Sequence, residues 1–451
     1  MAGASISRWT MSYFAASLIF LVVGQALLAG GFGYPVLPVE APETLVIVHI
    51  LAVGWLALLF CGALLQFVPV LAAAPLFLPG LAAPALVLLV IGLALLNCGF
   101  LNLAGYVDHG LVLLPIGAAL LATGFGLIVT MIGGTLARTG SLSLPAQFVA
   151  LGLLALTAAA GLGVAFALEL SGLVDVETLH GLLPAGVSLH AYFGMVGWMS
   201  ASAFGVSYRL LTMFLLSPET ERATTCSALA LVVLSVAVAS ITLIALALGS
   251  SRAEPVYLPF VLAAGAGLIF GYDVLTIFRA RKRKALELNS ITSALAVAFL
   301  MLAILLYLLL LFTGQIEDRI GALVYLICFG WLSLLGLGQL YKIIAFLTWL
   351  ECYGPVLGRT PVPRVQELVC DGRASNWFYL YAAAVCVAVV ALLLEGSFVF
   401  RGAVLAQTVA VIGLTVEFVR TRRLFYVSVQ ESKLDAQRHP SLFLPNSIER
   451  S

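Results

Sequence analysis

The sequence predicts an all-α membrane protein, with 12 transmembrane helices in three pseudo-symmetric groups of four and both termini cytoplasmic. Three observations predict it. The 451 residues are 62% hydrophobic and only 10% charged, with a mean hydropathy of +1.13, where a soluble domain carries roughly 25% charged residues. Apolar runs of about 18 or more residues recur, each able to cross a hydrocarbon core about 30 Å thick. One helix signature occurs three times with the same internal spacing. Gly54-Trp55 is followed by Gly62, Gln66 and Pro69, Gly197-Trp198 by Gly205, Arg209 and Thr212, and Gly330-Trp331 by Gly338, Lys342 and Ala345. The copies lie 143 and 133 residues apart, too far for a solenoid and suited to a repeated bundle of about four helices.

The spans fall near Met11–Leu28, Leu45–Leu71, Pro79–Cys98, Leu111–Ile132, Phe148–Leu168, Leu189–Leu215, Ser227–Leu248, Val256–Phe278, Ile291–Phe312, Ala322–Leu350, Trp377–Leu394 and Ala403–Val419. The Gly-Trp copies fall on spans 2, 6 and 10. The chain therefore reads as one polytopic domain over 1–451, with repeat groups near 1–135, 136–285 and 286–420 and a cytoplasmic tail over 421–451.

Each element has its own justification. Span 1 is longer than a signal-peptide core, and Gly30-Gly31-Phe32-Gly33 after it lacks a small-residue cleavage site, so it reads as a retained helix. The Gly-rich stretches of spans 2, 6 and 10 allow close helix packing. Asn97 and Asn102 flank the outer end of span 3, and the segment from Glu169 to Val187 is the largest outward loop. The run Arg279–Lys284 after span 8 anchors topology, with anionic headgroups as a second contact. Pro355, Pro361 and Pro363 keep the loop between spans 10 and 11 extended or turned. The tail is expected to begin as a helix over Phe425–Gln437. With the N-terminus inside, 19 of 22 basic residues fall on the cytoplasmic side, as the positive-inside bias demands. The net charge of +1 implies no nucleic-acid partner; the lipid bilayer is the partner expected. Seven cysteines without a C-x-x-C pair read as small buried hydrophobes rather than a disulfide framework.

Ionisable groups inside spans are costly and are functional candidates. Of five histidines, His49 lies five residues before Gly54 and His190 seven before Gly197. Both are expected near the outer boundary of the bilayer. A histidine there can also bond to water or backbone with no further role. His109 and His180 fall in external loops and His439 in the tail. Gln66, Arg209 and Lys342 read as side chains that snorkel to the inner headgroups, or as a polar vestibule. Asp273 is expected to pair with Arg279, and Glu417 with Arg420 at i,i+3 spacing. No ladder of Asp, Glu or His crosses the bilayer, which argues against proton pumping.

The stretch from His49 through Gly54-Trp55, Gly62 and Gln66 to Pro69 resembles a core helix of the heme-copper oxidase subunit I superfamily. So does His190-Ala191-Tyr192-Phe193-Gly194 through Gly205 and Tyr208-Arg209. The segment Gln339–Trp349, continuing to Gly354-Pro355, resembles uncharacterised bacterial relatives of that fold. The resemblance implies twelve helices with threefold pseudo-symmetry, His49 as a low-spin heme ligand and His190 as a copper-side ligand. The chain departs from the pattern in what it lacks. Span 10 has no histidine, and its position equivalent to His49 is Tyr325; span 7 lacks the adjacent His pair that holds copper. An oxygen-reducing binuclear centre is therefore not expected, because copper with one imidazole is not held. The expectation is a heme-copper-oxidase-like membrane protein that binds one b-type heme near the outer face, or none, in a redox or nitric oxide/oxygen-related role. His49, His190 and Tyr325 are the heme candidates. A transporter or permease, and a cofactor-free assembly or structural protein, are the alternatives.

Overall fold

The computed structural model describes residues 9–174, 177–218, 222–248, 257–359 and 361–427, without the side chains of 177–181 and 184. Its described residues form helices and no strands. Eleven helices are long and apolar enough to cross a membrane: α1 (Thr10–Gly30), α2 (Pro42–Leu71), α3 (Pro79–Leu103), α4 (Leu113–Leu136), α5 (Leu144–Leu170), α7 (Ala223–Ala247), α8 (Tyr257–Arg279), α9 (Leu288–Thr313), α10 (Ile316–Val356), α11 (Asp371–Leu393) and α12 (Ser397–Arg422). Between α5 and α7 a continuous rod, α6 (177–215), carries the second Gly-Trp pair. The chain is a multi-pass membrane protein. The segment expected as a large outward loop is mostly helix from Glu177 onward, because the rod continues past its apolar stretch. The tail beyond 427, with His439 and most of its expected helix, lies outside the described residues; α12 itself runs to Arg422.

The Gly-Trp rods form the centre. Within their apolar windows α2 is 72% and α10 67% buried, against 33% for α7. Trp55, Trp198 and Trp331 are among the largest fully enclosed side chains. Glycine lets the neighbouring rod come this close. A methyl group on Gly62 would lie within 3 Å of Tyr13 on α1, on Gly205 within 3 Å of Pro145 and Phe148 on α5, and on Gly338 within 3 Å of Thr292 on α9. Gly62 of α2 thus rests on α1, Gly205 of α6 on α5 and Gly338 of α10 on α9, in each case the helix that precedes the rod. The same holds one level up, where Gly54 meets Phe20 of α1, Gly197 meets Ala155 of α5 and Gly330 meets Phe299 of α9.

Each Gly-Trp pair sits in a stretch of π-helix, Ile50–Ala57, Tyr192–Ser200 and Leu326–Ser333. π-turns are rare and cluster at functional sites. Two serines help hold these turns: Ser200 Oγ donates to Met195 O at 2.9 Å and Ser333 Oγ to Cys328 O at 2.6 Å, each five residues back. The same serines receive the neighbouring indoles. Trp55 Nε1 donates to Ser333 Oγ at 2.7 Å, and Trp331 Nε1 to Ser200 Oγ at 3.2 Å. The first copy has Ala57 where the others have serine, and Trp198 Nε1 is buried without a partner.

Candidate functional site

His49 and His190 close the last α-helical turns before the π-segments of α2 and α6. The two residues occupy different steps of the signature, five and seven before the glycine. On separate rods that offset does not part them, and their ring centres lie 6.5 Å apart with planes inclined by 30°. Both rings are partly buried.

Each ring is held by a backbone carbonyl. His49 Nδ1 bonds to Leu45 O at 2.8 Å, within its own helix, and His190 Nδ1 to Ala159 O of α5 at 3.0 Å. A carbonyl oxygen only accepts, so in the neutral ring the proton sits on Nδ1 and Nε2 keeps its lone pair. A backbone carbonyl on the far nitrogen is the usual support of a metal-ligating histidine. Aromatic walls flank the pair: Phe100 of α3 at 5.0 Å from His49 and Phe166 of α5 at 5.9 Å from His190, ring centre to ring centre. Gly163 of α5 leaves room for the second ring, since a methyl group there would stand 3.3 Å from His190 Cε1. Helix α5 therefore supplies a carbonyl, a gap and an aromatic wall on one face, at Ala159, Gly163 and Phe166.

Tyr325 is placed elsewhere. Its hydroxyl donates to Gln407 Oε1 of α12, and its ring lies 4.4 Å from Phe329 and 5.4 Å from Phe400. The third residue at this signature step, Tyr192, bonds through its hydroxyl to Ser235 of α7, which donates to Pro259 O of α8. The structure thus brings His49 and His190 together and sets Tyr325 in a hydrogen-bonded cluster of its own. His109 lies in the loop between α3 and α4 with φ +58°, and the side chain of His180 lies outside the described residues.

Among the described residues no cluster of three or more His, Cys, Asp or Glu is placed to hold a metal ion. His49 and His190 are a two-nitrogen set.

The remaining polar positions have other partners than those expected, or more of them. Asp273, 1% exposed, does not pair with Arg279. It accepts from the hydroxyls of Tyr208 at 3.0 Å, Thr224 at 2.6 Å and Thr225 at 3.2 Å, because α8 packs Asp273 against the start of α7, where a carboxylate complements the helix N-terminus. Glu417 does pair with Arg420, at 2.7 Å, and also meets Arg373 and Tyr426. Lys342 does not simply snorkel. Its Nζ lies 2.6 Å from Glu287 Oε2. Burial pushes the Glu287 carboxyl up, but hydrogen bonds from Lys342 and Gln366 and the charges of Lys342 and Arg283 outweigh it and hold the group below its ordinary range.

Compared with protein-family models and with curated proteins, the chain matches none.

Proposed function

We propose that the chain is a heme-copper-oxidase-like protein of the bacterial cytoplasmic membrane that holds one b-type heme through His49 and His190 and lacks a binuclear centre. In this reading the three quartets are pseudo-equivalent repeats and both termini are cytoplasmic. The recurring glycine seats and the two Trp-to-Ser bonds support the repeat; the 19-to-3 division of basic residues supports the orientation.

The observation that carries the reading is the two-histidine set. A bare zinc or copper ion needs three or four protein ligands. An iron porphyrin brings four nitrogens of its own and asks the protein for one or two axial ligands. His49 and His190, with ring centres 6.5 Å apart, are the residues that would hold such a group. The carbonyls of Leu45 and Ala159 fix the tautomer, Gly163 gives the His190 ring its room, and Phe100 and Phe166 flank the two rings. A bound heme would supply one-electron transfer or binding of a diatomic gas. The protein's part is to orient two imidazoles and keep their Nδ1 protons committed to backbone.

The test is the absorption spectrum of the purified protein after expression with heme supplied. The reading predicts a Soret band that is lost in the double variant His49→Ala/His190→Ala while the elution profile in detergent is unchanged. A colourless wild-type protein with normal elution would reject it.

A further inference from the structure

The π-segments of α6 and α10 carry sulfur at one and the same step of the signature, two residues before the glycine: Met195 before Gly197 and Cys328 before Gly330. The first copy has Ala52 there. The two sulfurs meet across the rods. Cys328 Sγ donates to Met195 Sδ at 3.3 Å, and both side chains are partly buried. The backbone is pinned at the same two residues, since Met195 O accepts from Ser200 Oγ and Cys328 O from Ser333 Oγ. Trp331 Nε1, bonded to Ser200 Oγ, ties α10 to α6 at this level. The rods therefore hold a thiol and a thioether face to face, in π-turns of the kind that mark functional sites.

Neither π-segment contains an acidic or basic residue. Such surroundings select the charge of a ligand. A thiolate and a monovalent cation cancel, whereas a divalent ion would leave a net charge buried in the bundle. Thiolate and thioether are the soft donors that Cu(I) prefers. Zinc and divalent copper need more protein ligands than the two present, but a monovalent d10 ion accepts two. Met195 is unbranched and flexible, so its sulfur can move aside to admit an ion. We infer that Cys328 and Met195 form a Cu(I) site between α6 and α10. Binding breaks the S–H bond of Cys328, forms a copper–thiolate bond and releases the proton to water, with no change in oxidation state. The site uses neither His49 nor His190 and does not rest on the heme reading.

The experiment is an anaerobic titration of the full-length protein in detergent with Cu(I), in competition with a chromogenic Cu(I) chelator. The wild type should withhold one equivalent of copper from the chelator and release one proton per ion bound. X-ray absorption of the bound copper should show sulfur neighbours only. Cys328→Ser should lose that equivalent. Met195→Leu should weaken binding by well over the roughly tenfold that an outer-sphere partner costs, and it carries the test if Cys328→Ser does not fold. The double variant Cys226→Ser/Cys386→Ser removes the two exposed thiols and should keep the copper. A wild type that yields all its copper to the chelator overturns the inference. So does copper retained equally in Cys328→Ser and Met195→Leu, or lost only in the Cys226→Ser/Cys386→Ser variant. The Soret region of the same samples reports heme separately from copper.

Discussion

His49 and Tyr325 stand at the same step of the same signature, five residues before the glycine of a Gly-Trp pair, and their surroundings give them opposite characters. Tyr325 on α10 has its hydroxyl taken up by Gln407 and its ring enclosed by Phe329 and Phe400. His49 on α2 bonds only to the preceding turn of its own helix, faces His190 across 6.5 Å, and keeps a nitrogen lone pair uncommitted. The two rods seat their glycines in the same way against α1 and α9. The difference is therefore made by the surrounding helices. Helix α12 offers a side chain that consumes the tyrosine hydroxyl, whereas α3 offers His49 the ring of Phe100 and α6 the ring of His190. On the proposed reading, the same signature step serves as a ligand position only where its neighbours leave a polar atom free.

The largest expected effect comes from disturbing the glycine seat of α6, the rod that carries His190. Gly205→Leu puts side-chain atoms where even a methyl group would stand 2.5 Å from Pro145 O. Overpacking of this kind costs about 1–3 kcal/mol or more, and the shift between α5 and α6 should also part His190 from Ala159. Thermal unfolding in detergent should show a lower Tm together with loss of any heme signal.

Next come the partners of Tyr325. Gln407→Leu leaves the tyrosine hydroxyl buried without an acceptor, at a cost of about 1–3 kcal/mol, and adding Tyr325→Phe should recover most of it. His49→Phe, which removes one local hydrogen bond and keeps an aromatic ring beside Phe100, should cost under about 1 kcal/mol. If Gln407→Leu proves no more harmful than His49→Phe, the contrast between the two stations fails.

A smaller effect with the opposite sign is expected at the unpaired indole. Ala57→Ser places in α2 the serine that Trp55 and Trp331 find on α10 and α6. If the three copies are equivalent, Trp198 gains an acceptor and the protein is stabilised by about 0.5–1.5 kcal/mol, read as a rise in Tm. No gain, with the serine present and the protein folded, would count against the equivalence.

The smallest effect is at Glu287. Glu287 is held below its ordinary range, so its contribution to stability is complete above the unfolded carboxylate value, near pH 4.3, and is lost as pH falls through the lower folded value. Glu287→Gln should flatten that part of the acid-unfolding curve and leave stability above pH 6 lower than in the wild type. A wild-type curve already flat there would exclude the ion-pair account.

The all-helical architecture was legible in the sequence where it rests on composition. The span order matches the twelve rods, and the Gly-Trp pairs do mark the buried centre. The π-turns were not legible, because an i,i+5 ladder leaves no periodic mark over eight or nine residues. Nor was the meeting of the two histidines, since helix phase on one rod says nothing about the phase of another. The assignment of Asp273 to Arg279 went wrong for the same reason. Spacing along α8 favoured the nearby cation, while packing brought three hydroxyls from α6 and α7. The features of α5 that support His190, at Ala159, Gly163 and Phe166, fall one turn apart in a run of small and apolar residues that reads as ordinary lipid-facing helix. The spacing at Glu417 and Arg420 succeeded because both residues share one helix.

The most direct test of the central claim is the ligand count at the heme. A reduced-minus-oxidised difference spectrum, with electron paramagnetic resonance of the oxidised protein, should show a six-coordinate low-spin heme in the wild type and in Tyr325→Phe. In His190→Ala it should become five-coordinate and high-spin. A low-spin signal that survives His190→Ala but is lost in Tyr325→Phe would contradict the account.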